Sequence, residues 1–322
     1  MTATTIEPQS DLSGKNRVGD RAFRWATYAA GGFVLLVLGA IALTMTRKAW
    51  PAFDEMGFEF FTSKRWAPNE GIFGARALIF GTLYTAVIAL TLAVPVSLGI
   101  ALFATQVAPT RLRRWIVSVI DLLAVIPSVV FGLWGILFLA PKLPGFFDQL
   151  HDIFGSVPIL GWIFGSSSGG KSFLTAGVIL AIMITPIITS LSREVIDTTP
   201  PSDREAAYGL GATRWEMIRG AVLPHSKGGL VGAVMLGLGR AMGETIAVAL
   251  TVGSGKSIGW NVFASGDTMP AVIANEWPEA EGTWRSALIA LAVTLFLLTI
   301  VVNLVATGIV QRSLAKSQGV RR

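Results

Sequence analysis

Four stretches of this chain, 25–46, 78–105, 173–191 and 286–309, contain no Asp, Glu, Lys or Arg. A water-soluble domain has no use for such runs. A bilayer demands them, because roughly 20 apolar residues in helical form cross the hydrocarbon while every backbone amide finds its partner inside the same segment. Two further windows are long enough but carry charge: 115–139 holds Asp121, and 228–252 holds Arg240 and Glu244. The expectation is an all-α integral membrane protein with about six transmembrane helices. Composition agrees, since 14% of residues are charged against roughly 25% in an ordinary soluble domain. The first window follows a polar stretch with no small-residue cleavage site, so it reads as a retained helix.

Lys and Arg set the expected orientation. With the N-terminus cytoplasmic, the inside segments hold 16 cations and the outside segments 9. Both termini are therefore expected inside, and the net charge of +6 follows from that bias without a nucleic-acid partner. The expected layout is a polar tail at 1–24, a first helix at 25–46, an external loop at 47–77 and a core at 78–312. That core contains external loops at 141–172 and 253–285 and a cytoplasmic loop at 192–227, and a basic tail at 313–322 follows it. The absence of cysteine removes disulfides and thiolate metal sites from consideration, and His151 and His225 stand apart from other ligand types.

Several motifs need weighing. Gly165, Gly170, Lys171 and Ser172 match the spacing of a phosphate-cradling loop. That loop needs a buried strand before it and a soluble helix after it, whereas here it adjoins a membrane span, so it reads as a Ser/Gly linker. In the loop 192–227, Pro200 and Pro201 stop the incoming helix, and Ser202 with Glu205 and Thr213 with Glu216 have capping-box spacing. Two capped helices ending at Pro224 are expected, presented for a partner. Loop 141–172 reads as irregular cover, loop 253–285 is the most acidic, with Asp267, Glu276, Glu279 and Glu281, and all three external loops could face a soluble partner outside. Pro95, Pro127 and Pro186 are each expected to interrupt a membrane helix.

Arg240 and Glu244, four residues apart, are expected on one helical face. Each would cost about 2.5–3.5 kcal/mol facing lipid, so both must face protein or water. They form either a structural ion pair or a substrate path in which Arg240 meets an anion and Glu244 orients it. Asp121 and Ser128 are further candidates for that path. No catalytic residue or metal-ligand set is expected. A stand-alone secondary transporter is a rival reading, and a membrane-bound enzyme a weaker one.

The stretch Glu205, Ala206, Ala207 and Gly211, followed by Pro224, resembles the EAA loop of ABC-importer permeases, with Ala221 where that loop usually has Ile. Further stretches resemble the C-type permease subunit of the bacterial high-affinity phosphate importer: Phe-Phe-Thr-Ser-Lys-Arg-Trp at 60–66, Ile-Pro-Ser-Val-Val-Phe-Gly-Leu-Trp-Gly at 126–135, and Gly-Leu-Gly-Arg-Ala-Met-Gly-Glu-Thr at 237–245. The likeness covers roughly 55–312. It implies a type I ABC-importer permease in the bacterial plasma membrane, with Glu205, Ala206, Ala207 and Gly211 coupling to an ATPase. The implied partners are a second permease, two ATPase subunits that bind ATP and Mg, and an external phosphate-binding protein. It implies no cofactor in this chain, and inorganic phosphate as cargo. Sulfate or molybdate remains an alternative cargo.

Overall fold

The structure is a computed structural model that describes residues 17–318 except 159, 168 and 257, with side chains described for 19–308 apart from those three. The expected tails therefore lie partly outside the described residues. Contacts divide the chain into two compact units, 1–47 and 48–322. The first is the N-terminal part of α1 (Arg17–Met56), exposed almost throughout.

The second unit holds the rest of the fold. α2 (Glu59–Thr62) leads into a hairpin of β1 (Trp66–Ala67) and β2 (Ile72–Phe73). Then come α3 (Arg76–Leu102), α4 (Thr110–Val125), α5 (Ser128–Trp134), α6 (Leu143–Phe154), α7 (Leu160–Ile163) and α8 (Phe173–Asp197). α9 (Pro201–Gly209), α10 (Arg214–Met217), α11 (Leu223–Gly243), α12 (Ile246–Thr251), α13 (Met269–Glu276) and α14 (Gly282–Gln318) complete it. Among the described residues, six helical stretches are long and apolar enough to cross a membrane: Gly19–Met56, Arg76–Val107, Ser128–Phe154, Phe173–Asp197, Arg214–Gly243 and Gly282–Gly308.

α8 is the centre of the core. Its residues Ala176, Leu180, Ile184 and Ile188 are buried against Ala86, Ala89 and Ala93 of α3 and Ala233, Leu238 and Ala241 of α11. Alanine and glycine at these positions let helix backbones approach where lipid offers no hydrophobic drive to associate. A Cβ on Gly177 would lie 2.4 Å from Cγ2 of Ile88, so that crossing tolerates no larger residue. Ser97 of α3 donates to the Thr185 carbonyl at 3.2 Å beside Pro186, a polar tie between two apolar helices.

The prolines depart from expectation. Pro95 and Pro186 lie inside unbroken helices. Pro127 alone of the three breaks its helix: Ile126 and Pro127 are both extended, with ψ 125° and 141°, because proline drives the residue before it out of the helical region. The expected third crossing 115–139 is thus interrupted near its middle, divided between α4 and α5 with the π-helical turn Gly135–Leu139 that follows. By length and apolarity the candidate stretch after the break runs on to Phe154, and most of the first half of the expected irregular loop 141–172 is the helix α6. Pro224 ends nothing either. A π-helical turn at Ile218–Val222 carries the chain into α11, and Pro224 sits in the first turn of α11, where its missing N–H is tolerated. The second expected surface helix is thus the root of the fifth crossing.

In the loop after α12, the Asp267 carbonyl lies so close to Gly81 of α3 that an added Cβ would sit 1.9 Å from its oxygen. Nearby, the Met269 N–H donates to Thr82 Oγ1 at 3.0 Å. Gly81→Ala is expected to destabilise the folded chain by about 1–3 kcal/mol through overpacking against backbone. Thermal unfolding in detergent checks this, and an unchanged midpoint would show that the loop does not bear on α3.

Candidate functional site

The fifth crossing stops short of its expected length. α11 ends at Gly243, Glu244 is extended with φ −70° and ψ 126°, and α12 starts two residues later. Arg240 and Glu244 therefore do not share a helical face. Arg240 is exposed in the last turn of α11, where the helix dipole favours a cation. Glu244 is buried, 9% exposed, and its Oε1 accepts from the Ala247 N–H at 3.5 Å. Its carboxylate points at the start of α12. Among the described residues no ion pair joins Arg240 to Glu244.

The glycines of α11 divide by face. Gly229 and Gly237 meet α8, where an added Cβ would fall 2.5 Å from Val195 and 2.7 Å from Ile188. Gly232, Gly239 and Gly243 have nothing within 4 Å, and Leu236 and Arg240 project from the same open side at helical spacing. One side of α11 is thus closed packing and the other a smooth strip ending in a cation. On lipid such a cation costs about 2.5–3.5 kcal/mol, so the strip belongs against protein or water.

Ser128 opens α5, which packs on α12: a Cβ on Gly132 would lie 2.9 Å from the Cα of Ala247. The two breaks, at 126–127 and 244–245, are therefore joined by the helices that follow them. Asp121 lies on the other side of the first break, exposed on α4 and outside the six candidate crossings. Among the described residues no hydrogen bond joins any two of Arg240, Glu244, Asp121 and Ser128.

At the opposite end of α8 lies the second candidate surface. α9 buries no residue; Glu205 and Ala206 are exposed, while Ala207 is half-buried against a cluster containing Ile196, Met217 and Val222. Gly211 has φ +82°, a conformation that favours glycine, and it turns the chain towards α10. That turn leaves Leu210 90%, Trp215 61% and Tyr208 47% exposed. The capping box expected at Thr213 and Glu216 forms. The one expected at Ser202 and Glu205 does not, because Pro200 occupies the cap position and Pro201 the first turn. Arg204 instead donates to the Ile196 carbonyl at 2.9 Å, and Arg113 pairs with Asp197, so α9 and α4 are both fastened to the end of α8.

A polar cluster outside the candidate sites was not foreseen. Glu276 accepts from the indole N–H groups of Trp66 at 2.8 Å and Trp284 at 3.0 Å, and Lys256 lies 3.7 Å from its other oxygen. Asp267 is 7% exposed. Both acids are thus engaged within the chain, whereas Glu279 and Glu281 of the same loop are exposed. Trp66 and Glu276 are 210 positions apart, and no local spacing signals such a contact. In the glycine-rich run, Ser172 caps α8 by accepting from the Thr175 N–H, while Ser168 lies outside the described residues.

These features define a multi-pass membrane protein of the permease type, with a helix broken at Glu244 and an exposed helix on one surface. The chain belongs to the family of binding-protein-dependent transport system inner membrane components, whose pattern matches residues 93–314. It is 42% identical to a phosphate transport system permease protein PstC of Mesorhizobium japonicum over 91% of this chain and 90% of that one. It is 40% identical to the protein of that name from Xylella fastidiosa strain Temecula1, over 99% and 100%. In fold it is similar to a chain in the crystal structure of a bacterial alginate ABC transporter in complex with a periplasmic protein, with a TM-score of 0.61, 17% identity and coverage of 92% and 97%. A chain of the inward-facing MetNI methionine ABC transporter gives a TM-score of 0.52 at 16% identity, covering 73% and 95%.

The buried Asp267 carries a pH signature. Its carboxyl is pushed up from 3.8 to about 7, first by burial; the Thr268 amide and Lys256 oppose the rise and Glu276 adds to it. A folded pKa above the unfolded one gives stability that is complete below 3.8 and lost as pH rises through about 7. Melting in detergent from about pH 4 to about pH 8 is expected to show that loss, and Asp267→Asn to remove it. An identical slope in both proteins would contradict the assignment.

Proposed function

We propose that this chain forms half of the translocation path of an ATP-driven phosphate importer. The observation that carries the reading is Arg240, a cation held exposed at the end of an open, glycine-lined strip within a membrane crossing. An anion crossing hydrocarbon needs a counter-charge fixed within the span, and a helix-bound guanidinium supplies one at low reorganisation cost. The names of the relatives, phosphate transport system permease proteins, support phosphate as the cargo.

The open strip is half of a conduit, so a second, homologous permease completes it. α9 with Leu210 and Tyr208 docks into a cytoplasmic ATPase subunit, and two such subunits bind the ATP and Mg that this chain does not. Their closure draws α9 and its counterpart together; α8, fastened to α9 through Arg204, passes the motion to α11. The pore then opens outward to receive phosphate from an external binding protein, and it faces inward again on reset. Both termini are cytoplasmic, in a bacterial plasma membrane, with lipid around the outer helices. Glu244 acts on the path by shaping the break, through its bond to Ala247, and not by pairing with Arg240.

Arg240→Gln in the assembled transporter is expected to abolish uptake of labelled phosphate, by at least about a hundredfold, while all subunits still co-purify. Normal uptake by that variant would remove Arg240 from the path.

A further inference from the structure

α4 carries two adjoining features that the transport reading does not use. Arg111, Arg114, Trp115 and Ser118 line a pocket of about 360 Å³ at its N-terminal end. Their spacing places all four on one side of the helix. A second, almost wholly apolar groove of about 520 Å³ runs between α4 and the end of α3, bounded by Gly99, Ile100, Phe103, Val119 and Leu123, and it shares Trp115 with the first. A cationic pocket and an apolar groove thus adjoin at one indole ring.

The three arginines of this helix differ. Arg113 is paired with Asp197, whereas Arg111 and Arg114 have no acid partner among the described residues. Both lie in the first turns of α4, where the helix dipole favours an anion. From Arg111 to Leu123 the helix rises about 18 Å, the length of a headgroup and a chain crossing one leaflet of a core about 30 Å thick. Tryptophan at the junction suits the boundary between headgroup and hydrocarbon.

We propose that this surface binds an anionic phospholipid, its headgroup phosphate held by Arg111 and Arg114 and one acyl chain lying along the groove between α3 and α4. The leaflet is the cytoplasmic one if the orientation proposed above holds; the binding itself does not depend on transport. A protein partner is a weaker fit, because the groove wall is almost bare of polar groups while its mouth carries unpaired charge of one sign.

Native mass spectrometry of the full chain in detergent tests this with phosphatidylglycerol and phosphatidylcholine as probes. Phosphatidylglycerol is expected to be retained in preference. R111Q/R114Q should weaken that retention about thirtyfold, each cation near the membrane surface contributing roughly fivefold. R111K/R114K, which keeps the charge, should retain the lipid. R21Q/R24Q, which removes the same charge from α1, should leave it unchanged. Equal retention of both lipids, an unaffected R111Q/R114Q variant, or equal loss in R21Q/R24Q would overturn the proposal. Release of the lipid by millimolar inorganic phosphate would mark the pocket as a free-anion site, and its displacement by the partner permease would mark the groove as a subunit interface; either result contradicts lipid binding.

Discussion

Hydrocarbon leaves backbone amides no water to turn to, so a membrane chain can break a helix only where protein or a hydrated cavity takes up the freed groups. That constraint organises the core. Two helices break within it, at Ile126–Pro127 and at Glu244–Thr245. α5, with the π-helical turn Gly135–Leu139 that continues it, and α12 follow these breaks and pack on each other through Gly132 and Ala247 and through Gly135 and Thr251. The Glu244 carboxylate, turned onto the Ala247 N–H, meets one of the amides that the second break exposes. The costs of the two irregularities are met at one shared joint, and Arg240 stands at its edge.

α8 links that joint to the surface. Its N-terminal end is capped by Ser172, its middle receives Gly237 of α11, and its last turn is held by Arg204 and Arg113. Close packing along this line has little slack, since an added Cβ on Gly229 or Gly237 would come within 2.7 Å of α8 side chains. Packed interiors of this density shift between discrete arrangements and deform little in between. In the proposed coupling, a displacement of α9 would pass along α8 to the glycine-lined strip, with few places where it can dissipate.

Much of this was legible in the amino-acid order. The four uncharged windows fall within described helices, since long apolar runs have one outcome in a bilayer. The Thr213–Glu216 capping box and the αL turn at Gly211 are local, and local chemistry decided both. What could not be read was decided between segments. Nothing in the neighbourhood of Pro95, Pro127 and Pro186 says which will break its helix. The Arg240–Glu244 spacing suggested a shared face because four residues make a turn only if the helix continues, and the carboxylate found its partner in Ala247 instead. The joining of Trp66, Lys256, Glu276 and Trp284 depends on loops far apart in sequence.

The strip of α11 that carries Arg240 either borders water or it does not. Because the chain lacks cysteine, single substitutions can be labelled without background from this chain, which is separated from its partners before readout. In the assembled transporter, Leu236→Cys on the open side should react with a charged, membrane-impermeant thiol reagent and be protected by phosphate, whereas Ile188→Cys on the packed side should not react. Modification of Leu236→Cys by lipid-soluble reagents alone would place the strip against hydrocarbon and contradict a hydrated path along α11.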